Sequence, residues 1–324
     1  MRDNLFDGDM QVRGFNVSYY GYGDVVRNVS FDLPEGGVMC LLGAEGSGKT
    51  TLLRGLAGME VSSGEFCIGG ENITNLPVKN RNITYTFNLS SLKDRKTVQD
   101  NVLYPLTLRG ESRDYCAERL EKVCALIGIK DILGERVKDL YPMHKALTVL
   151  ARAFIRESNL YLIDSLPDEL TYSERTKVFE RFARAARASG GRVIYATQRP
   201  YEAYLLPDKV GVMQEGIMLQ CAPMSTLRDM PKHSSVAKIA GFEDIKYVAA
   251  EAKCDGGKWT AAFCGIEIAI PEIKDKIYDG QFVVLGVKAD DIVIGGNISC
   301  VVKRIYDDGV TRLAIADTGS GTLA

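Results

Sequence analysis

Histidine is scarce in this chain. His144 and His233 are the only two in 324 residues, and they stand far apart, which excludes a histidine-built metal centre. The eight cysteines include no C-x-x-C pair, so neither a zinc ribbon nor a dithiol redox motif is present. Cys40, Cys67 and Cys300 lie inside apolar runs, where a reduced thiol packs as a small hydrophobe. A reducing compartment without disulfides is expected. No apolar run approaches the roughly 20 residues that cross a bilayer as a helix. The opening Met1-Arg2-Asp3-Asn4 has no apolar core of a secretory signal, so a cytoplasmic location is expected. The formal net charge is only −2, which gives no global attraction to nucleic acid or anionic lipid. No nucleic-acid partner is expected. Low-complexity tracts and internal repeats are also missing.

What remains is an ordinary globular composition, 46% hydrophobic and 25% charged, long enough for roughly two domains. Its most informative stretch is Gly43-Ala44-Glu45-Gly46-Ser47-Gly48-Lys49-Thr50, the pattern G-x-x-x-x-G-K-[ST] of a phosphate-binding loop. Val38 to Leu42 before it reads as a buried strand. Leu52, Leu53 and Leu56 after it have helical spacing. The glycines let successive N–H groups turn inward towards phosphate oxygens, and the helix adds its positive end. Lys49 is placed for the β- and γ-phosphates of a nucleoside triphosphate, and the Thr50 hydroxyl for Mg²⁺. ATP and Mg²⁺ are the expected cofactors.

Strands and helices alternate through the first two thirds of the chain. Strands are expected near Phe15 to Tyr19, Val25 to Leu33, Glu65 to Ile68, Ile83 to Phe87, Leu160 to Asp164 and Val193 to Thr197. Two more, Val210 to Met213 and Ile217 to Cys221, meet at Glu215-Gly216. Ser62-Ser63-Gly64 reads as a turn. Thr97 and Ser112 are placed to cap helices, Gly128 to stop one, and Thr171 with Glu174 to form a capping box. A further helix is expected from about Met143 to Ile155. From about Pro231 helical periodicity gives way to short β-type runs, Lys246 to Ala250, Trp259 to Ile270, Gln281 to Val287, Ile298 to Ile305 and Arg312 to Ala316. The fold class is therefore α/β, a P-loop NTPase core over residues 1–230 with a helical subdomain at about 97–157, then a small all-β domain over 231–324.

The order of these motifs resembles the nucleotide-binding subunits of ATP-binding cassette (ABC) transporters, of the sugar-import type that carries a C-terminal TOBE/OB-like domain. The resemblance implies that Tyr20 stacks on adenine with Val25 beneath it, and that Gly43 to Thr51 holds the phosphates. It also implies that Asp164, at the end of a Walker B strand, holds Mg²⁺ with Thr50. Thr97-Val98 and Asn101 match the T-V-x-x-N that follows the Q-loop. Leu285 to Ile292 resembles an L-G-x-R-P-E-x-I stretch of the β domain, although that domain stops short of the family's usual length. Permease subunits in the membrane are the implied partners, which places the chain on the inner face of the membrane. Leu89, Leu92 and Val102 read equally as permease contacts and as local packing.

The departures from the family pattern fall at the chemistry. Asn88 replaces the Q-loop glutamine, Ser165 the catalytic glutamate and Gln198 the switch histidine. Serine is no base at neutral pH, and glutamine carries no proton. The D-loop reads Asp168-Glu169-Leu170-Thr171. Leu140-Tyr141-Pro142-Met143-His144 stands where the family has LSGGQ, and Pro142 has no N–H to offer a phosphate. His144 and Lys145 read as solvated surface rather than a replacement. The expectation is an ATP-binding importer subunit with weak intrinsic hydrolysis, paired with an intact second ATPase subunit. The solute expected from the resemblance is a carbohydrate or glycerol phosphate. The competing reading is a nucleotide-dependent regulatory module that no longer powers transport. A small-molecule kinase is disfavoured, because no second substrate site is visible.

Overall fold

The computed structural model describes residues 6–21, 23–86, 89–205, 207–241, 245–256, 258–263, 266–269, 278–288, 301–307, 312–317 and 322–323. These fall into two compact units, Met1–Ala240 and Gly241–Ala324.

The first unit opens with β1 (Met10–Ser18) and β2 (Asp24–Leu33), paired antiparallel with Val12 opposite Phe31 and Phe15 opposite Val29. The alternation of apolar and polar residues buries one face of each strand. Next come β3 (Val38–Leu42), buried along its whole length, and α1 (Lys49–Ala57). The chain then returns to the first sheet through β4 (Val61–Ile68) and β5 (Glu71–Asn72). After β6 (Ile83–Thr86) come three helices, α2 (Val98–Leu108), α3 (Arg113–Ile127) and α4 (Pro142–Phe154). The α/β alternation resumes with β7 (Leu160–Asp164), α5 (Tyr172–Ala188), β8 (Arg192–Thr197), α6 (Pro200–Leu205), β9 (Lys209–Gln214) and β10 (Ile217–Ala222). Two short helices close the unit, α7 (Met224–Asp229) and α8 (Ser234–Ile239).

Two sheets result. One is antiparallel, in the order β2-β1-β4-β5; the other runs β10-β9-β3-β8-β7-β6. In the second sheet β9, β3, β8, β7 and β6 are parallel, and β10 is added by an antiparallel hairpin. Strands β3 and β8 are buried throughout, as expected where a parallel sheet is covered on both faces. Helix α1 lies between the two sheets. Its Leu52, Leu53 and Leu56 join a core with Phe15, Val17 and Phe66 on one side and Leu41, Leu162 and Ile194 on the other. Because β8 lies between β3 and β7, the carboxyl ends of these three strands converge. That is where open α/β sheets bind ligands.

The local signals for the helices hold. Thr97 accepts from the Asp100 amide in a reciprocal capping box, as Thr171 does from Glu174. Ser112 caps α3 and left-handed Gly128 (φ 72°) ends it. Other local readings need correction. Ser62-Ser63-Gly64 is not a turn but part of β4, where the β1–β4 register shifts between Arg13 and Asn16 and Gly64 has φ 92°. A glycine in a strand marked a bulge here. Helical structure also continues past Pro231 as α8, which at six residues is too short to display a period. Leu92 and Val102 are packed inside the unit, at 7% and 0% exposure, and offer nothing to a partner. Leu89 is half-buried.

The second unit is β-structured. Its strands are β11 (Ile245–Asp255), β12 (Lys258–Phe263), β13 (Ile266–Ala269), β14 (Phe282–Lys288), β15 (Val301–Asp307), β16 (Arg312–Asp317) and β17 (Thr322–Leu323). One antiparallel sheet runs β13-β12-β11-β14 and a second β15-β16-β17. The single strand read from Trp259 to Ile270 is instead a pair, β12 and β13, with Phe263 opposite Ile266. Ala289 to Ile292, the last half of the L-G-x-R-P-E-like stretch, lies outside the described residues.

Candidate nucleotide-binding site

The loop from Gly43 to Gly48 leaves the carboxyl end of β3 and enters α1. Its geometry needs its glycines. Gly46 and Gly48 have φ of 75° and 95°, a region closed to most side chains. A Cβ on Gly43 would lie 2.4 Å from the Met213 carbonyl oxygen. The loop is pinned from outside as well: the Gly216 amide donates to Ser47 O at 3.0 Å, and the Gly43 amide to Thr197 O at 3.3 Å. Lys49 arches over its own loop, its Nζ donating to Gly43 O at 2.8 Å, Ala44 O at 2.7 Å and Ser47 Oγ at 3.0 Å. Burial pushes the Lys49 pKa down from its ordinary value, against the opposing pull of the Asp164 carboxylate.

Asp164, the last residue of β7, is bracketed by two hydroxyls. Thr50 Oγ1 donates to Asp164 Oδ1 at 3.0 Å, and the Tyr85 hydroxyl donates to Asp164 Oδ2 at 2.9 Å. Burial, and then the adjacent Asp164 charge, push the Tyr85 phenol's pKa well above its ordinary value, so it stays a donor. A cavity of about 410 Å³ opens between the loop and the ends of β7 and β8. It is lined by Val25, Glu45 to Thr51, Asp164, Ser165, Asp168 and Ala196 to Gln198. Ser165 and Gln198 are thus brought to one cavity with Lys49, Thr50 and Asp164. Gly43 is buried beneath the loop, and Ala44 is exposed beside it. Tyr20 is fully exposed and is not among the lining residues. Asn88 lies outside the described residues.

The floor of the site is a buried ionic network that sequence reasoning missed. Arg175 on α5, 2% exposed, donates to Glu202 Oε1 at 3.1 Å, to Leu166 O at 3.3 Å and to Pro167 O. The Tyr195 hydroxyl donates to Glu202 Oε2 at 2.6 Å, and Thr197 Oγ1 bonds the same oxygen. Burial first, then the Glu202 charge, raise the Tyr195 pKa well above its usual value. Above this network Arg199 reaches Asp168 Oδ1 at 3.3 Å. The segment after β7 is therefore tied to the segment after β8. Ser165 sits in that first segment with φ 60°, a left-handed backbone unusual for serine.

The arrangement suits a magnesium nucleotide. The loop supplies backbone and a lysine along one wall of the cavity, and the Thr50–Asp164 pair offers hard oxygen ligands of the kind Mg²⁺ takes. Thr50 and Asp164 would hold the ion, which supplies charge neutralisation to the phosphates when bound. At α4, Tyr141 has extended backbone and Pro142 takes the first helical position. The Tyr141 side chain is 75% exposed, and its ring meets His144 at 6.5 Å between centroids.

The ABC transporter family model matches residues 26–166. The fold is that of an ATP-binding cassette. A nucleotide-free ATP-binding cassette from an ABC transporter superposes with a TM-score of 0.62 at 19% identity, over 72% of this chain and 98% of that one. The trehalose/maltose import ATP-binding protein MalK of Thermococcus litoralis is 28% identical, over 94% of this chain and 87% of its own length. The molybdate/tungstate import ATP-binding protein WtpC of Pyrococcus horikoshii is 32% identical, over 68% of this chain and 64% of its own. Among the described residues, no helix is long and apolar enough to cross a membrane.

Proposed function

We propose that this chain is the ATP-binding subunit of an importer that binds Mg-ATP at Gly43 to Thr51 and hydrolyses it weakly. The observation that carries the reading is the composition of one cavity. Lys49, Thr50 and Asp164 are in place for binding, while Ser165 and Gln198 occupy the walls where a base and a proton carrier would be needed. Binding and orientation survive these replacements, because they rest on the loop amides, Lys49 and the magnesium ligands. Loss of one general acid–base group typically costs about 10²–10⁴ in rate. Tyr20 supplies the adenine contact, its exposed ring free to stack on a base. The β unit is of the TOBE/OB kind.

Two copies of this chain would pair two sites that both lack the glutamate and a glycine-tipped signature. The working assembly is therefore a heterodimer with an intact cassette, seated on permease subunits at the cytoplasmic face of the membrane. Nucleotide-driven closure of that pair drives transport. The long match to a trehalose/maltose importer's subunit supports a carbohydrate or glycerol phosphate as solute, which the membrane and solute-binding subunits select. The test is equilibrium binding of a fluorescent ATP analogue to wild type and to Lys49→Ala, followed by co-expression with a second cassette that has an intact glutamate and signature. Mg-dependent binding lost in Lys49→Ala, and co-purification of the two cassettes, are expected. Binding unchanged in Lys49→Ala, or recovery of this chain solely as homodimers, overturns the proposal.

A further inference from the structure

Tyr85 touches the Thr50–Asp164 pair and has no part in the proposed function. It stands on β6, the edge strand beside β7, with Tyr85 in register with Leu162. Its half-buried ring carries the hydroxyl to Asp164 Oδ2 at 2.9 Å, while Thr50 takes Oδ1 at 3.0 Å. A carboxylate's terminal torsion is broad and roughly two-fold, so one hydrogen bond leaves an aspartate free to swing. Donors on both oxygens fix the plane. An ionised carboxylate has about four lone-pair positions, and two donors leave acceptor capacity over. Asp164 lines the cavity, so that capacity is available on the nucleotide side.

We infer that Tyr85 is a positioning residue for the magnesium ion: its hydroxyl holds the Asp164 carboxylate in the orientation that lets it serve the ion beside Thr50. The inference rests on the reading of this cavity as a Mg-nucleotide site. It assigns Tyr85 no contact with nucleotide or metal. Groups behind a metal ligand commonly change metal affinity by about 10–100-fold when removed. The effect is confined to the metal, because Tyr85 is not among the lining residues of the cavity that takes the nucleotide.

The experiment is a magnesium titration of the affinity for a fluorescent ATP analogue, with a parallel measurement in EDTA, on wild type, Tyr85→Phe and Asp164→Asn. Tyr85→Phe should raise the Mg²⁺ concentration at half-effect by about tenfold. Affinity in EDTA should change less than about twofold, since no group touching the nucleotide is removed. In the Asp164→Asn background the same substitution should change the magnesium dependence no further, which a merely structural role would not produce. Tyr85→Met fills a similar volume without a hydroxyl and provides a second variant with the same expected pattern. A magnesium midpoint unchanged in these variants, or equal losses with and without magnesium, overturns the inference while leaving the nucleotide site intact. A wild-type chain that binds no nucleotide under either condition overturns the reading of the site and the inference together.

Discussion

Arg81 shows how much a single residue can hold in this fold. It is 4% exposed, and its guanidinium donates to Leu76 O and Leu56 O at 2.8 Å, to Gly55 O at 3.3 Å and to Thr74 O. Two of these carbonyls belong to the last turn of α1, where intrahelical donors run out; Gly55 O also takes the amide of the cap residue Gly58 at 2.9 Å. The charge also sits at the helix's negative end, which favours it. Burial lowers the Arg81 pKa, so the hydrogen bonds must offset desolvation. Arg81→Met would keep the stem and remove the guanidinium donors from all four carbonyls. A loss of about 3 kcal/mol is expected, from charge-assisted bonds of about 1.5–3 kcal/mol and the acceptors that lose them. Urea unfolding of the purified chain measures it, and a midpoint within error of wild type would refute the assignment.

Arg81 also marks the limit of what the sequence discloses at this scale. The phosphate loop was legible because its chemistry is local: glycines, lysine and threonine follow one another, and strand and helix flank them. Arg81 meets the α1 carbonyls across 26 and 25 residues, Tyr85 meets Asp164 across 79, and Arg175 meets Glu202 across 27. Nothing in a local pattern distinguishes these side chains from an ordinary exposed arginine or a strand tyrosine. Tyr85 reads as part of the strand expected over Ile83 to Phe87; Ile83 to Thr86 do form β6, and Phe87 lies outside the described residues. The Tyr85 hydroxyl acquires a role only when parallel pairing of β6 with β7 sets it beside Asp164.

Among the elements, α1 matters most, because it joins the phosphate loop to both sheets. Gly55 lies in its interior, and intrinsic propensity alone says that Gly55→Ala should stabilise by about 1 kcal/mol. Packing says the reverse. A Cβ there would stand 2.4 Å from Val17 Cγ2 and 3.2 Å from Phe15 Cε1, both on fully buried side chains of β1. Overpacking of this kind costs about 1–3 kcal/mol and outweighs the propensity gain. Gly55→Ala should therefore lower the thermal midpoint; a rise would show that β1 yields freely to α1. Helix caps were readable in the sequence for the same reason the loop was, since cap and acceptor lie within a turn. The bulge at Gly64 was not, because a bulge is a relation between β1 and β4 and looks like a turn when one strand is read alone.

Across the whole molecule, the proposed function assigns nucleotide binding to Lys49, Thr50 and Asp164 and weak cleavage to the presence of Ser165 and Gln198 in the same cavity. The α/β alternation of the cassette and the β-rich texture after it were visible in the order of periodicities. The short helices α7 and α8 were not, since each is only six residues long. With ordinary kcat values near 10 s⁻¹, losses of 10²–10⁴ place intrinsic turnover at or below about 0.1 s⁻¹. The decisive measurement is steady-state phosphate release by the purified wild-type chain at saturating Mg-ATP, with bound nucleotide quantified in the same sample. The expected result is stoichiometric occupancy with turnover at or below about 0.1 s⁻¹. Turnover of about 10 s⁻¹ without any second cassette present would contradict weak hydrolysis and show that Ser165 and Gln198 suffice.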